Sequence, residues 1–257
     1  MKLFNIWYIE FFLVKILLIF LLFSSCDSRT LEYQLFDGRT FRGWEGSNKI
    51  FRIQENIIVG GSQNTPIDKN YFLCTVKEFE NFELRLSAKF KTNDLNVNGG
   101  ICFRAKRVPK SNEVMGYQAD IGYEKTTTIT KYLYNQNHKE LGINMKTEMT
   151  SPTLYPLWGS LCDENRPDRT LYPNPEIFPI VYYDIPNRTE IENIINPNDW
   201  NDIIIIAKEK NISIKINGIE TASYFEKNNP ISKGQICLQT HAGIPHEVMY
   251  KDIVIKY

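Results

Sequence analysis

Three features of the sequence predict an all-β fold, a sandwich of two antiparallel sheets. Short apolar runs alternate with period two, Gly, Asn and Pro recur in the gaps between them, and no strand–helix–strand rhythm interrupts the pattern. With 257 residues, 42% hydrophobic and 13% aromatic, the chain suffices for one large domain with a substantial core.

The amino terminus stands apart from that pattern. Lys2 and Lys15 flank an aromatic-rich start, Ile16 to Phe23 is unbroken apolar sequence, and Ser24-Ser25 precede Cys26, so residues 1–25 read as a secretory leader. The stretch Phe11 to Phe23 is broken by Lys15 and falls short of the roughly 20 apolar residues a spanning helix needs. Small residues before a cysteine resemble the bacterial lipobox, which implies lipidation at Cys26, a position in the cell envelope (periplasmic or surface-exposed) and membrane attachment through the lipid anchor only. A freely secreted protein and an uncleaved anchor are the alternatives. Residues 26–34 then read as a polar tether and 35–257 as a single domain.

Within the domain, a turn over Phe36-Asp37-Gly38 leads to Trp44 as a core-plugging aromatic. Phe51–Ile53 and Ile57–Val59 flank Glu55-Asn56 as a hairpin, which Gly60-Gly61 ends. Tyr71–Thr75 is a short strand, and Phe82–Phe90 alternates with one apolar and one wet face. Asn98-Gly99-Gly100 turns into Ile101–Arg104, and Gly116–Ile121 follows as a strand. Later come Asn201–Ala207 and Ile212–Ile216, an Asn217-Gly218 hairpin turn, Thr221–Phe225, Gln235–Thr240 and Val248–Ile255. Helical periodicity is confined to a turn or two over Glu190–Ile195.

Charge and cysteine usage narrow the function. Lys+Arg and Asp+Glu both total 30, so there is no basic field to recruit nucleic acid. Cys74, Cys102, Cys162 and Cys237 fit neither zinc pairs nor a dense disulfide framework; three of them sit in strand-like runs as small buried hydrophobes, and one disulfide suits a compartment outside the cytoplasm. The sequence contains no G-x-S-x-G elbow, no phosphate-cradling glycine loop after a strand and no H-E-x-x-H.

Strand alternation assembles candidate site residues. Gln118 and Asp120 share one face of their strand, as do Gln239 and His241 at the end of theirs. Cys102 and Arg104 share a face by the same count, and an arginine inside a strand needs a carboxylate such as Asp120 or Glu164, either as structure or as the floor of a site. Asp163, Glu164 and Arg166 follow the Trp158-Gly159 turn and read as a loop above the sheet, where carboxylates near a desolvating Trp158 acquire raised pKa values. Asp120, Asp163, Glu164 and His241 supply donors suited to calcium, magnesium or manganese, although their spacing does not show that they converge; no other cofactor is indicated.

Taken in order, these segments resemble one family. N-x-G-I-x-x-R at Asn98–Arg104, Gly116-Tyr117-Gln118-Ala119-Asp120-Ile121-Gly122, W-G-S-L-x-D-E-x-R at Trp158–Arg166, Asp199-Trp200-Asn201 and Leu238-Gln239-Thr240-His241 are similar to the 3-keto-disaccharide hydrolase domain family, from about Leu35 to Tyr257. Two departures stand out. Tyr123–Pro156, which includes Tyr132, Tyr134 and Tyr155, separates motifs that adjoin in relatives, as a lid, an extra subsite or a passive insertion. Cys162 stands where relatives often carry an aromatic.

The resemblance implies a concanavalin-like jelly roll that cleaves glycosides oxidised at carbon 3, with a separate sugar 3-oxidoreductase making the ketone. It makes Glu164, His241 and Arg166 the catalytic candidates, with Arg104 as a second enolate stabiliser. Gln118, Asp120 and Gln239 become sugar-positioning groups, with Trp158 and Asp163 beside them. Two other readings use the same sandwich. One is a non-catalytic lectin stacking sugars on Trp158 and nearby tyrosines; the other is an envelope protein that holds a partner through Tyr123–Pro156.

Overall fold

The computed structural model describes residues 32–133, 144–164, 182–227 and 231–257, with backbone alone for 125–133, 144–153 and 182. The leader, Cys26 and Arg166 lie outside the described residues. In chain order the strands are β1 (Glu32–Gln34), β2 (Trp44–Glu45), β3 (Phe51–Gln54), β4 (Ile57–Ser62), β5 (Tyr71–Thr75), β6 (Phe82–Lys91), β7 (Asn98–Arg107) and β8 (Val114–Leu133). There follow β9 (Asn144–Pro156), β10 (Leu161–Glu164), β11 (Tyr182–Asp184), β12 (Asn201–Lys208), β13 (Asn211–Ile216), β14 (Ile219–Phe225), β15 (Gln235–Thr240) and β16 (His246–Lys256), with one helix, α1 (Arg188–Ile194), before β12.

Two antiparallel sheets form a jelly-roll sandwich. The first runs β14-β13-β12-β6-β16-β4-β3, with β1 added to β16; the second runs β11-β10-β8-β7-β15-β5-β2, with β9 added to β8. Facing side chains make the core. Phe82, Leu84, Leu86, Ala88 and Phe90 come from the alternation of β6, and Ile101, Phe103, Tyr117, Ala119, Ile121, Leu161 and Leu238 come from the second sheet. Trp44 is buried there, its Nε1 donating to Leu35 O at 2.6 Å. Glu55-Asn56 and Asn217-Gly218 both have positive φ at both turn positions, the mirror-image turn that matches strand twist. Asn187 caps α1 by accepting from Thr189 N at 2.9 Å, and Ile191 enters the core.

Two segments differ from the sequence expectation. Glu32–Gln34, expected in the tether, pair with Lys256–Val254 of β16, because that strand otherwise leaves its backbone unpaired at this edge. The 123–156 segment prolongs β8 through Leu133 and returns as β9, so it begins and ends as a β-ribbon. Its base belongs to the core: Tyr123 is buried in it and Leu154 packs against it. Among the described residues no helix is long and apolar enough to cross a membrane.

Candidate functional site

The face of the second sheet turned away from the first is unusually polar for a buried surface. Register sets it out row by row. Cys74, Cys237, Cys102, Gln118 and Cys162 lie side by side across β5, β15, β7, β8 and β10. One row along, Phe72, Gln239, Gly100 and Asp120 stand together, since Gln239 follows Leu238, which is opposite Ile101. One row further, Asn98 is opposite Gly122. All side chains in these rows share the face, because alternate residues of each strand point the same way.

Asp120 is the centre of the arrangement. It is buried, and Gln118 Nε2 donates to its Oδ1 at 2.6 Å while the Cys102 thiol donates to Gln118 Oε1 at 2.8 Å. A carboxylate only accepts, so the thiol on the other side fixes which end of the amide faces Asp120. Burial, reinforced by the charges of Glu164 and Asp120, pushes the Cys102 thiol well above its ordinary range and keeps it a donor. Gly100 makes the space: a Cβ there would meet Gln118 Cδ at 2.4 Å.

Around Asp120 lie groups with open hydrogen-bonding capacity. Gln239 Oε1, Asn98 Oδ1 and Ser160 Oγ are buried and have no hydrogen-bond partner among the described residues. The Ser160 carbonyl accepts from Asp120 N at 3.0 Å, and the hydroxyl stands on the same face, two residues before Cys162. Buried polar atoms are nearly always paired, and leaving one unpaired costs about 1–3 kcal/mol. Three on one face around a carboxylate mark a place built to receive a polar ligand. His241 follows directly after β15, half-buried, and its Nδ1 lies 2.7 Å from Ala242 O. A carbonyl cannot donate, so Nδ1 carries the hydrogen and Nε2 is the basic nitrogen.

Several expected site residues lie elsewhere. Arg104 sits in a β-bulge with φ 48°, which reverses the face assigned by simple alternation. Its Nε donates to Glu80 O at 2.9 Å and its Nη1 to Glu209 O at 2.8 Å, so it ties the second sheet to turns of the first and pairs with neither Asp120 nor Glu164. Trp158 is a core residue, 1% exposed and edge-on to Phe90 at 6.0 Å, and offers no stacking surface. Asp163 and Glu164 are not on a loop. They belong to β10 and face opposite ways, Asp163 beside Tyr117 on the core side and Glu164 beside Gly116 on the site face. Glu164 is four residues along β8 from Asp120, about 13 Å of strand. The quartet Asp120, Asp163, Glu164 and His241 therefore does not gather around one ion, and among the described residues no three His, Cys, Asp or Glu do.

Gln118, Asp120, Gln239 and Glu164 thus share the face, with His241 just past the end of its strand. Asn98, Ser160, Gly100 and Cys102 join them. The Asn98-Gly99-Gly100 sequence opposite the Gln118–Asp120 strand was the available signal for the first and third of these. Ser160 falls within the Trp158–Arg166 motif, whereas nothing in the sequence marks the Cys102 thiol as a donor.

A jelly roll whose outer face holds a carboxylate among unpaired amide and hydroxyl groups belongs to the carbohydrate-active proteins, enzymes or binders. This chain is a member of the 3-keto-alpha-glucoside-1,2-lyase-like domain family, whose model matches residues 33–256. Two solved structures of candidate glycosyl hydrolases from Parabacteroides distasonis ATCC 8503 share its fold. One is 18% identical with a TM-score of 0.52 over 88% of this chain and 93% of its own; the other is 15% identical with a TM-score of 0.50 over 88% and 98%. No curated protein matches the sequence.

Proposed function

We propose that the protein is a lipid-anchored enzyme of the bacterial cell envelope that cleaves glycosides oxidised at carbon 3. The observation that carries this reading is the set of unpaired Gln239, Asn98 and Ser160 atoms around Asp120, joined to membership of a family named for this chemistry. A ketone at C3 acidifies the C2–H bond, so a modest base removes that proton. The electrons pass into the enolate, the C1–O glycosidic bond breaks by β-elimination, the leaving oxygen takes a proton, and water adds to the enone. The carboxylate pair of ordinary glycosidases is not required.

His241 Nε2 serves as the base. Asp120, Gln118 and Gln239, with Asn98 and Ser160, accept from and donate to the sugar hydroxyls. Glu164 lies three rows, about 20 Å of strand, from the His241 end of the face, too far to act on the carbon beside the one His241 deprotonates. The protonated His241 passes its proton to the leaving oxygen, Glu164 holds the outlying part of the glycoside, and Arg166 stabilises the enolate oxygen. A separate oxidoreductase supplies the ketone. In a non-catalytic binder the same polar groups would read hydroxyls, but the stacking platform expected at Trp158 is missing from this face.

The test is direct. Incubation with a 3-keto glucoside should release reducing sugar with a transient enone absorbance, and the unoxidised glucoside should stay intact. Binding of plain oligosaccharides without turnover of any keto sugar overturns the enzymatic reading in favour of the lectin.

A further inference from the structure

Among the described residues the exposed large hydrophobic side chains are Tyr33, Val76, Ile219, Phe225 and Tyr257. Three of the five form one patch. Tyr33 and Tyr257, 42% and 37% exposed, stack at 5.2 Å, and Tyr257 sits edge-on to the buried Phe79 at 5.2 Å. Lys77 Nζ lies 4.1 Å from the Tyr257 ring centroid and 5.5 Å from that of Tyr33, and Val76, 63% exposed, precedes it in the same loop. Tyrosines with one apolar and one polar end, bordered by lysine, are the composition of protein surfaces that rest at a membrane–water boundary.

We propose that this patch is the face the domain lays against the bilayer, and that it orients the enzyme on its anchor. The inference rests on anchoring through Cys26. Cys26 and Glu32 are six residues apart, so the anchor lies within about 20 Å of the first residue of β1 however that stretch is arranged. Tyr33 is the next residue, and among the described residues no other exposed apolar cluster begins so near the point of attachment. Charge does not supply the attraction, since Lys256 is paired with Glu32 at 3.0 Å and Lys77 is followed by the exposed Glu78. The patch therefore steers an already anchored domain and does not recruit a free one.

The orientation has a functional consequence. β5 and β16 run toward the patch and end beside it at Thr75 and Lys256, whereas β15 starts at that end and runs away from it to Thr240. Gln239, His241 and Asn98 consequently lie toward the opposite end of the sandwich, away from the bilayer.

The experiment uses the full lipidated chain reconstituted in phosphatidylethanolamine–phosphatidylglycerol vesicles containing acyl-brominated lipid. Tryptophan quenching is read for Tyr257→Trp and Tyr33→Trp, with Ile219→Trp, exposed at the opposite end of the first sheet, as the control and the wild-type signal subtracted. Quenching at either patch position should exceed that at position 219 by ~2-fold or more, as expected of an interfacial aromatic. Cell fractionation of wild type and Cys26→Ala separates the two ideas. An anchored chain without excess quenching overturns the orientation alone; a wild-type chain found only in the soluble fraction overturns anchoring and orientation together.

Discussion

Gln118 and Asp120 are bound to each other through a 2.6 Å hydrogen bond that exists only because Gly100, on the neighbouring strand, has no side chain. Gly100→Ala would place a methyl group 2.4 Å from Gln118 Cδ and swing the amide off both Asp120 and Cys102. Since the obstacle is the far end of a flexible side chain, the fold survives at a cost of about 1–3 kcal/mol. Misplacement of Asp120 should lower turnover of a keto glucoside by roughly tenfold or more. A thermal melt and a turnover assay on the same preparation check this; a stable variant with full activity would refute the positioning role of Gln118.

The disulfide Cys74–Cys237 joins directly opposed residues of β5 and β15 and closes a separation of 163 residues. Its removal in the Cys74→Ser/Cys237→Ser double variant should cost about 2–5 kcal/mol in denaturant unfolding. The free, buried Cys102 lies opposite Cys237 on the other side. Opposed pairs on adjacent strands have Cα atoms about 4.5–5.5 Å apart, within disulfide reach. Cys74→Ser alone, refolded in an oxidising thiol buffer, should therefore form Cys102–Cys237, detectable by peptide mass mapping, and lose the thiol donor to Gln118.

His246 gives a pH-dependent signature. Its Nδ1 donates to Ile244 O at 2.8 Å, its Nε2 is buried without a partner among the described residues, and its ring lies 5.9 Å from Phe90. Burial lowers its pKa below the ordinary histidine value of 6.5, the Ile244 carbonyl opposes that, and His241 adds to it. With the folded pKa depressed, the unfolded chain takes up the proton more readily. Stability is therefore full above about 6.5 and falls as pH drops from there toward the folded value. The wild-type melting temperature should fall between about pH 7.5 and about pH 5.5 by more than that of His246→Gln. Equal falls would remove His246 as a contributor.

Much of this architecture is readable locally: β6 and the shared face of Gln118 and Asp120 follow from period two, because sheets bury every second residue, and the Asn217-Gly218 turn follows from the positive φ that Asn and Gly accept. The misreadings have physical causes too. A bulge at Arg104 shifts the count by one, and nothing in Phe103-Arg104-Ala105 announces it. Asp163-Glu164 reads as loop because buried acids at the end of a strand look like solvated ones in sequence. The pairing of Cys74 with Cys237, rather than Cys102 or Cys162, depends on strand order across the sheet, which composition does not encode.

The β-ribbon of β8 and β9 separates into a base and an outer part. Tyr123 and Tyr155 are each 7% exposed, Leu154 packs on the core, and Arg188 donates to Leu154 O at 3.3 Å. Replacing residues 126–153 by a two-residue turn, which keeps the Lys125–Leu154 pairing, should leave one cooperative thermal transition near the wild-type temperature. Replacing 123–156 should lower it by roughly ten degrees or more, or abolish it, since deleting buried aromatics costs about 3–5 kcal/mol each and a domain of this size loses about 2–4 °C per kcal/mol. If the shorter excision also unfolds the domain, the outer ribbon is structural.

The final prediction separates a reacting group from a distant one. His241 follows the end of β15 just beyond Gln239, whereas Glu164 lies two rows from Asp120 in the other direction, so the two are about 20 Å apart along the strands. The C2 proton and the leaving oxygen sit on bonded carbons, so this pair cannot serve both. Proton abstraction at C2 is needed whatever the leaving group, so His241→Gln should reduce turnover by roughly 100-fold for every 3-keto glucoside. Glu164→Gln removes no proton-transfer group at those carbons, and it should leave kcat on a nitrophenyl 3-keto glucoside within about threefold of wild type. On a 3-keto disaccharide, whose second sugar extends along the face, the same variant should raise KM while kcat changes little. Comparing both variants on both substrates checks this. If Glu164→Gln costs roughly 100-fold in kcat on both substrates and His241→Gln does not, the reaction takes place at the Glu164 end of the face and Glu164 is the base.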